Sequence, residues 1–191
     1  MLLFVGLAAA PRAADAQQQP AEAFISNLGH AAMQVLGPSV SPGIRTTRFR
    51  ELFRNDFAMP QIAQFVLGPY RHSLNSQQQA EFRTLLTDQL AHSYAEKLKA
   101  YAGDNFQVYA SRPWGGGALV YSRVASRDGK TVELDWVVIN SGGQLAVDDV
   151  YVDHVSMKLA KRNELAGIVQ RNGGDPTALI AAVRQGVAFG S

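Results

Sequence analysis

Along the first hundred residues apolar side chains recur at helical spacing; beyond them the pattern switches to the alternation of strands. Phe24, Ile25, Leu28, Ala32, Val35 and Leu36 predict a helix over 21–36 that Gly37-Pro38 stops. Phe49, Leu52, Phe53 and Phe57 form a second such face within 46–57. Pro60 suits the first turn of a short third helix bearing Ile62, Phe65, Val66 and Leu67, which Gly68-Pro69 ends. The longest stripe runs through Phe82, Leu85, Leu86, Leu90, Tyr94, Leu98 and Tyr101 as far as Gly103. Ahead of it, Ser76-Gln77-Gln78-Gln79 fits a capping box with the Ser76 hydroxyl at the N-cap.

Residues 106–111, 118–126, 131–140 and 145–153 are rich in β-branched and aromatic side chains, and glycine-containing turns at 114–117, 128–129 and 141–143 separate them. This predicts a meander of four antiparallel strands. Ser156 then caps a helix with Leu159, Leu165, Ile168 and Val169, and Asp175-Pro176 opens a last one with Leu179, Ile180 and Val183. Helices, a run of strands and helices again make an α+β fold. In the third strand Val132, Leu134, Trp136 and Val138 share one face while Val137 and Ile139 put apolar bulk on the other. Such a strand is covered twice or lines a cavity.

Composition narrows the class. At 191 residues and 47% hydrophobic content the chain builds a core without help, and it has no cysteine for a disulfide or a thiolate site. A formal charge of +2 with scattered Lys and Arg argues against nucleic acid. Met1 to Ala10 is a short apolar run, and Ala14-Asp15-Ala16 has the small-x-small form of a processing site. The run is far shorter than the ~20 residues that span a bilayer, so residues 1–16 read as an export signal, although no Lys or Arg precedes the run. A single domain over 17–191 follows, placed outside the cytoplasm and soluble.

The densest polar chemistry is DDVYVDHVSM, where Asp148, Asp149, Asp153 and His154 fall within seven positions. Strand alternation sends Asp149 and Asp153 to one face and Asp148 and His154 to the other, so the four do not converge as a metal requires. The expectation is a solvated outer face for the acids, a structural hydrogen-bonding role for Asp149, and Val150 and Val152 turned inward. His30, His72 and His92 have no partner at ligand spacing, and neither HExxH nor GxSxG occurs. Gly115-Gly116-Gly117 lacks the Lys-Ser/Thr of a phosphate loop and reads as a hairpin. Nothing calls for a metal, a cofactor or catalysis. The enzyme alternative is a cone-shaped α+β cavity like that of ketosteroid isomerase, with Asp135 or Asp149 as a buried base. A third reading is an interaction protein whose apolar faces bind another chain. Arg45, Arg48, Arg50 and Arg54, along one helix, are candidates for partner or headgroup contact.

FRELFRNDFAMPQIAQFVLGPYR, SQQQAEF, LAHSYAEKLKAY, DDVYVDHVSM and AKRNEL, in that order, resemble the MlaC/toluene-tolerance family, the periplasmic lipid-binding components of an ABC-type transport system. The resemblance runs from about Phe24 to Val183. Leu67-Gly68 and Tyr70 match the family's LG-x-Y; Phe82, Tyr94 and Tyr101 match its aromatics; Asp149, Val150, Val152, Asp153, Val155 and Ser156 match its D-V-x-V-E-x-V-S; and Arg162 matches the Arg of the next helix. Arg71 and Leu145 stand where the family has Trp, His154 where it has Gly, and Asp153 where it has Glu. The resemblance implies helices and a curved sheet around an apolar pocket for acyl chains, in a monomeric carrier rather than an enzyme. It also implies traffic of phospholipid between an inner-membrane ABC transporter complex with its substrate-binding subunit and an outer-membrane lipoprotein complex. The missing aromatics leave hopanoid or another envelope lipid as the alternative ligand. Taken with the pattern, the expected lipid-binding residues are Leu67, Tyr70, Tyr94, Leu98, Tyr101, Val120, Leu134, Trp136, Val138, Val150, Val152, Val155 and Met157.

Overall fold

Turn and cap chemistry divides the chain close to where its periodicity changes. The computed structural model describes residues 15–37, 39–101, 105–125 and 129–185. Nearly all of the expected leader, together with Pro38, Gly103 and Asp128 of the expected stops and turns, lies outside those residues. Helix α1 (Asp15–Val35) starts before its apolar stripe, because the glutamines ahead of it are good helix formers. Helix α2 (Pro42–Asp56) is capped by Ser41, whose hydroxyl accepts from the Ile44 N–H, with Pro42 at the first helical position. Helix α3 (Met59–Leu67) ends at Gly68, where φ is +55°, and a 3₁₀ segment (Gly68–Ser73) follows. Helix α4 (Ser76–Lys97) does open with a capping box, but one residue earlier than expected. Asn75 is the N-cap and Gln78 its partner, each accepting from the other's backbone N–H at 2.9 Å. Asn and Ser cap equally well, and the earlier register frees the Gln79 amide to donate to the Arg71 and Leu74 carbonyls.

The sheet comprises β1 (Phe106–Trp114), β2 (Gly117–Ala125), β3 (Thr131–Ser141), β4 (Gln144–Val152) and β5 (Val155–Ser156), in that order and antiparallel throughout. Among the described residues it has five strands, not four. Asp153 and His154 both take positive φ, 48° and 67°, as a two-residue hairpin requires. The chain therefore doubles back for one short pairing before Ser156 caps α5 (Met157–Arg171), which α6 (Thr177–Arg184) follows. Two bulges break the alternation. Tyr109 is the extra residue of β1, and in β4 Val137 faces Asp149 while Val138 faces Val147, leaving Asp148 as the extra.

α1 lies across β1 and β2, tied by Gln18 to the Ser111 carbonyl and by the Ser111 hydroxyl to Glu22. α2 packs on α4, α3 on α5 and α4, and α6 on α4. The Ala58 N–H donates to the Val147 carbonyl at 2.8 Å, pinning the α2–α3 junction to β4. Ile25, Leu36, Leu67, Phe82, Leu86, Val120, Val138, Val147, Leu165 and Leu179 are among the fully buried side chains of the core. Among the described residues no helix is long and apolar enough to cross a membrane.

The entry to β2 depends on a missing side chain: a Cβ at Gly117 would fall on the Val138 carbonyl oxygen and carbon, whereas Gly116 has open space around it. Gly117→Ala is expected to cost about 1–3 kcal/mol, because the backbone of β3 must shift, and Gly116→Ala less than about 0.5 kcal/mol. Urea unfolding of the two variants measures the difference.

Candidate functional site

The helices do not close fully onto the inner face of the sheet, and the gap is a cavity of about 600 Å³, within the ~300–1,000 Å³ of small-molecule sites. α1 contributes Leu28 and Ala32; α2 contributes Phe49, Leu52 and Phe53; Phe57, Ile62 and Val66 follow; and α4 adds Leu86, Leu90 and Tyr94. From the sheet come Val124, Val132, Leu134, Trp136, Val150 and Val152, and from α5 Met157 and Ala160. The polar part of the lining is Ser93, Lys97, Asp148, Asp149, Asp153, Lys158 and Lys161, and the rest is aliphatic or aromatic.

Trp136 is held rather than merely packed. Its indole N–H donates to Ser122 Oγ at 2.8 Å, and the fully buried Ser122 hydroxyl donates in turn to the Leu134 carbonyl at 3.3 Å. Phe106 meets the indole edge-on at 6.3 Å. α1 reaches the Phe106 ring only because position 29 is glycine, since any Cβ there would overlap the ring. Phe53 packs between Phe57 (4.5 Å, rings tilted by 46°) and Tyr94 (5.8 Å, tilted by 48°). Burial pushes the Tyr94 phenol up to about 12, and the negative charge of Asp149 adds to the effect.

Asp149 is 4% exposed and uses both oxygens. Oδ1 accepts from the backbone N–H groups of Val150 (2.9 Å) and Lys158 (3.1 Å), and Oδ2 accepts from the Ser156 hydroxyl (2.5 Å). The expected hydrogen-bonding role is present, and of the acids expected to be solvated only Asp153 is exposed. The bulge turns Asp148 and Asp149 toward the α5 N-terminus, where Asp148 pairs with Lys158. Lys158 also lies 4.8 Å over the Phe65 ring, which Arg162 approaches at 5.3 Å. Asp153 and His154 are exposed, and His154 faces Asp135 at 3.7 Å.

Of the thirteen residues expected to meet lipid, Tyr94, Leu98, Tyr101, Leu134, Trp136, Val150, Val152 and Met157 converge on the cavity wall. Leu67, Val120 and Val138 do not. They are fully buried in the core, where the helices pack directly on the sheet. Tyr70 packs half-buried against that core without reaching the wall, and Val155, just past the hairpin turn, is 55% exposed. Asp135, one of the two carboxylates proposed as a buried base, projects from the opposite face of β3 to Leu134 and Trp136. Burial raises its carboxyl, with His154 pulling the other way. The arginines of α2 do not form one free face. Arg45 is buried, donating to the Val40 carbonyl; Arg48 pairs with Glu51; and Arg50 and Arg54 both reach Asp88 on α4. Absent from the expected set were Leu28, Ala32, Phe49, Leu52, Phe53 and Phe57, whose helical stripes look the same for core and cavity, and Ser122, whose only signal was a polar residue at an inward strand position.

Residues 32–185 match the sequence profile described as MlaC protein. The chain belongs to the MlaC family. Its fold is similar to that of a phospholipid-binding protein from Ralstonia solanacearum, whose structure was solved in complex with a phospholipid. The TM-score is 0.73 at 18% identity, over 88% of this chain and 97% of that one. A search of curated proteins finds no match.

Asp149→Ala would leave a hydroxyl and two backbone N–H groups without their acceptor, and is expected to lower stability by about 3 kcal/mol in chemical denaturation. A raised phenol pKa means the folded state holds its proton more tightly than the unfolded chain, whose value is 10.0. That contribution is intact below pH 10 and is lost as the pH rises through about 12. Alkaline melting curves are expected to fall over that interval, and Tyr94→Phe to remove one late step from the phenolate absorbance titration.

Proposed function

We propose that this protein is a periplasmic lipid carrier that takes acyl chains into the cavity and leaves the headgroup at its polar edge. The observation that supports the reading best is the cavity's division, with a wall of aliphatic and aromatic side chains and, among the described residues, its charges confined to the β4 bulge, the β4–β5 turn, α5 and the end of α4. Each buried methylene contributes ~0.8 kcal/mol, so a dozen would contribute about 10 kcal/mol. That is enough to hold a lipid in water during transit without forming any bond. Membership of the MlaC family and the phospholipid bound to the Ralstonia solanacearum protein point the same way.

Phospholipid is the ligand this reading names first, moving between an inner-membrane ABC transporter complex and an outer-membrane lipoprotein complex. Release at either end requires the apolar wall to open, and the movable parts are the helices, which over Val132, Leu134, Val150 and Val152 meet the sheet across a gap rather than a packed interface. Trp136, fixed by Ser122, then serves as a rigid part of the wall against which a chain lies.

Native mass spectrometry of the purified mature protein, followed by organic extraction, tests the reading. About one lipid per chain is expected, and its mass distinguishes a diacyl phospholipid from a hopanoid. Leu134→Trp fills the cavity without burying a charge and is expected to cut occupancy at least about tenfold while the protein stays folded. A wild-type protein that remains empty after incubation with phospholipid vesicles and envelope extracts would overturn it.

A further inference from the structure

The charges at the cavity edge are balanced, and the balance bears on the headgroup. Lys97, Lys158 and Lys161 face the cavity together with Asp148, Asp149 and Asp153. Lys158 and Lys161 are three apart on α5 and so project from one side of the helix. Their side chains are only 18% and 16% exposed, which makes them part of the wall and not solvated arms. Each carries a carboxylate: Asp148, itself 19% exposed, for Lys158, and Glu164 at 2.8 Å for Lys161. Asp149 is committed to its three donors, whereas Asp153 stands exposed on the turn.

A lipid phosphate seated on Lys158 and Lys161 must displace Asp148 and share Lys161 with Glu164, which at 31% exposure keeps its access to water. With an anionic headgroup the displaced carboxylate, largely withdrawn from water, loses its cation and gains a negative neighbour, which is unfavourable at low local dielectric. With an ammonium on the same headgroup, Asp148 and Asp153 acquire a new partner as the phosphate takes the old one. One set of ion pairs is exchanged for another and the net charge of the rim is unchanged.

We infer that the rim selects a zwitterionic amine–phosphate headgroup over an anionic one. This specificity rests on the carrier reading above. The seating is a two-point one, with phosphate on the α5 lysines and ammonium between Asp148 and the β4–β5 turn, while the acyl chains occupy the apolar wall irrespective of headgroup.

The test incubates delipidated full-length mature protein with vesicles containing equal amounts of phosphatidylethanolamine and phosphatidylglycerol of identical acyl chains, then quantifies bound lipid by mass spectrometry. Enrichment of the ethanolamine lipid by about tenfold is expected, the size of effect a partly buried unpaired charge produces. Asp148→Asn removes the carboxylate that an anionic headgroup would strand and is expected to bring the ratio close to one. Asp153→Asn, at an exposed turn position where Asn tolerates positive φ, is expected to shift it in the same direction by a smaller amount without touching the core. Equal loading of both lipids by the wild type, an anionic preference, or a ratio unmoved by both variants overturns the headgroup assignment and leaves the carrier reading standing. Loading of neither lipid overturns both.

Discussion

The carboxylate of Asp149 is the constraint on which the rest of the site depends. It sits at the bulge of β4, below the surface, and receives a hydroxyl and two backbone N–H groups from residues up to nine positions further on. Those contacts join the end of the sheet to the start of α5 across the tight Asp153-His154 turn. A buried charge is tolerated only where its hydrogen bonds are made, so the arrangement tolerates little change. The same contacts set where Lys158 and Met157 enter the cavity and where Asp148 meets Lys158. Position of the rim and position of the wall are thus consequences of one side chain.

The cavity itself reflects a division of labour along the strands. Towards Val120, Val138 and Val147 the inner face is closed by helices and has almost no exposure. Towards Val132, Leu134, Val150 and Val152 the same face is only partly covered, and the missing contact is the cavity. Ordinary interiors are close-packed, so an apolar void of this size must be supported. The support comes from Trp136 tied to Ser122, the Phe57–Phe53–Tyr94 ring cluster, and the α2–α4 ion pairs through Asp88. The close-packed core therefore lies mainly at one end of the sheet and the cavity at the other, so the wall can change without loss of the core.

Element identity was readable from the sequence wherever a long periodic stripe existed. Each helix and each of the four long strands overlaps the segment its pattern predicts, though α1 begins earlier and α4 gives way to a 3₁₀ turn at Leu98–Tyr101, and eight of the thirteen residues expected to meet lipid lie on the wall, mainly through the inward alternation of β3 and β4 and the Tyr94–Tyr101 stretch. What was not readable has specific causes. A bulge leaves no signature in a single strand, so Asp148 and Asp149 looked like opposite faces of regular pleating. The fifth strand depends on two adjacent non-glycine residues accepting positive φ, which Asp and His do more readily than most, but which the β-rich pattern running through Asp153 does not announce. Inward strand positions such as Val120 and Val138 do not reveal whether helix or void lies above them. The phenylalanines of α2 share that ambiguity: their stripe fits core packing and cavity wall alike, and only the assembled fold shows that it faces a gap.

The central claim is that acyl chains lie against Trp136. The chain has two tryptophans, and the other, Trp114, is 42% exposed at the β1–β2 hairpin. With Trp114 replaced by Phe, fluorescence of Trp136 can be followed while the protein is loaded with phospholipid brominated along its chains, since bromine quenches only at near contact. The account predicts quenching that saturates at about one lipid per protein and deepens when bromine is placed at mid-chain rather than beside the headgroup. Emission left unchanged while lipid is demonstrably bound would place the chains elsewhere and contradict it.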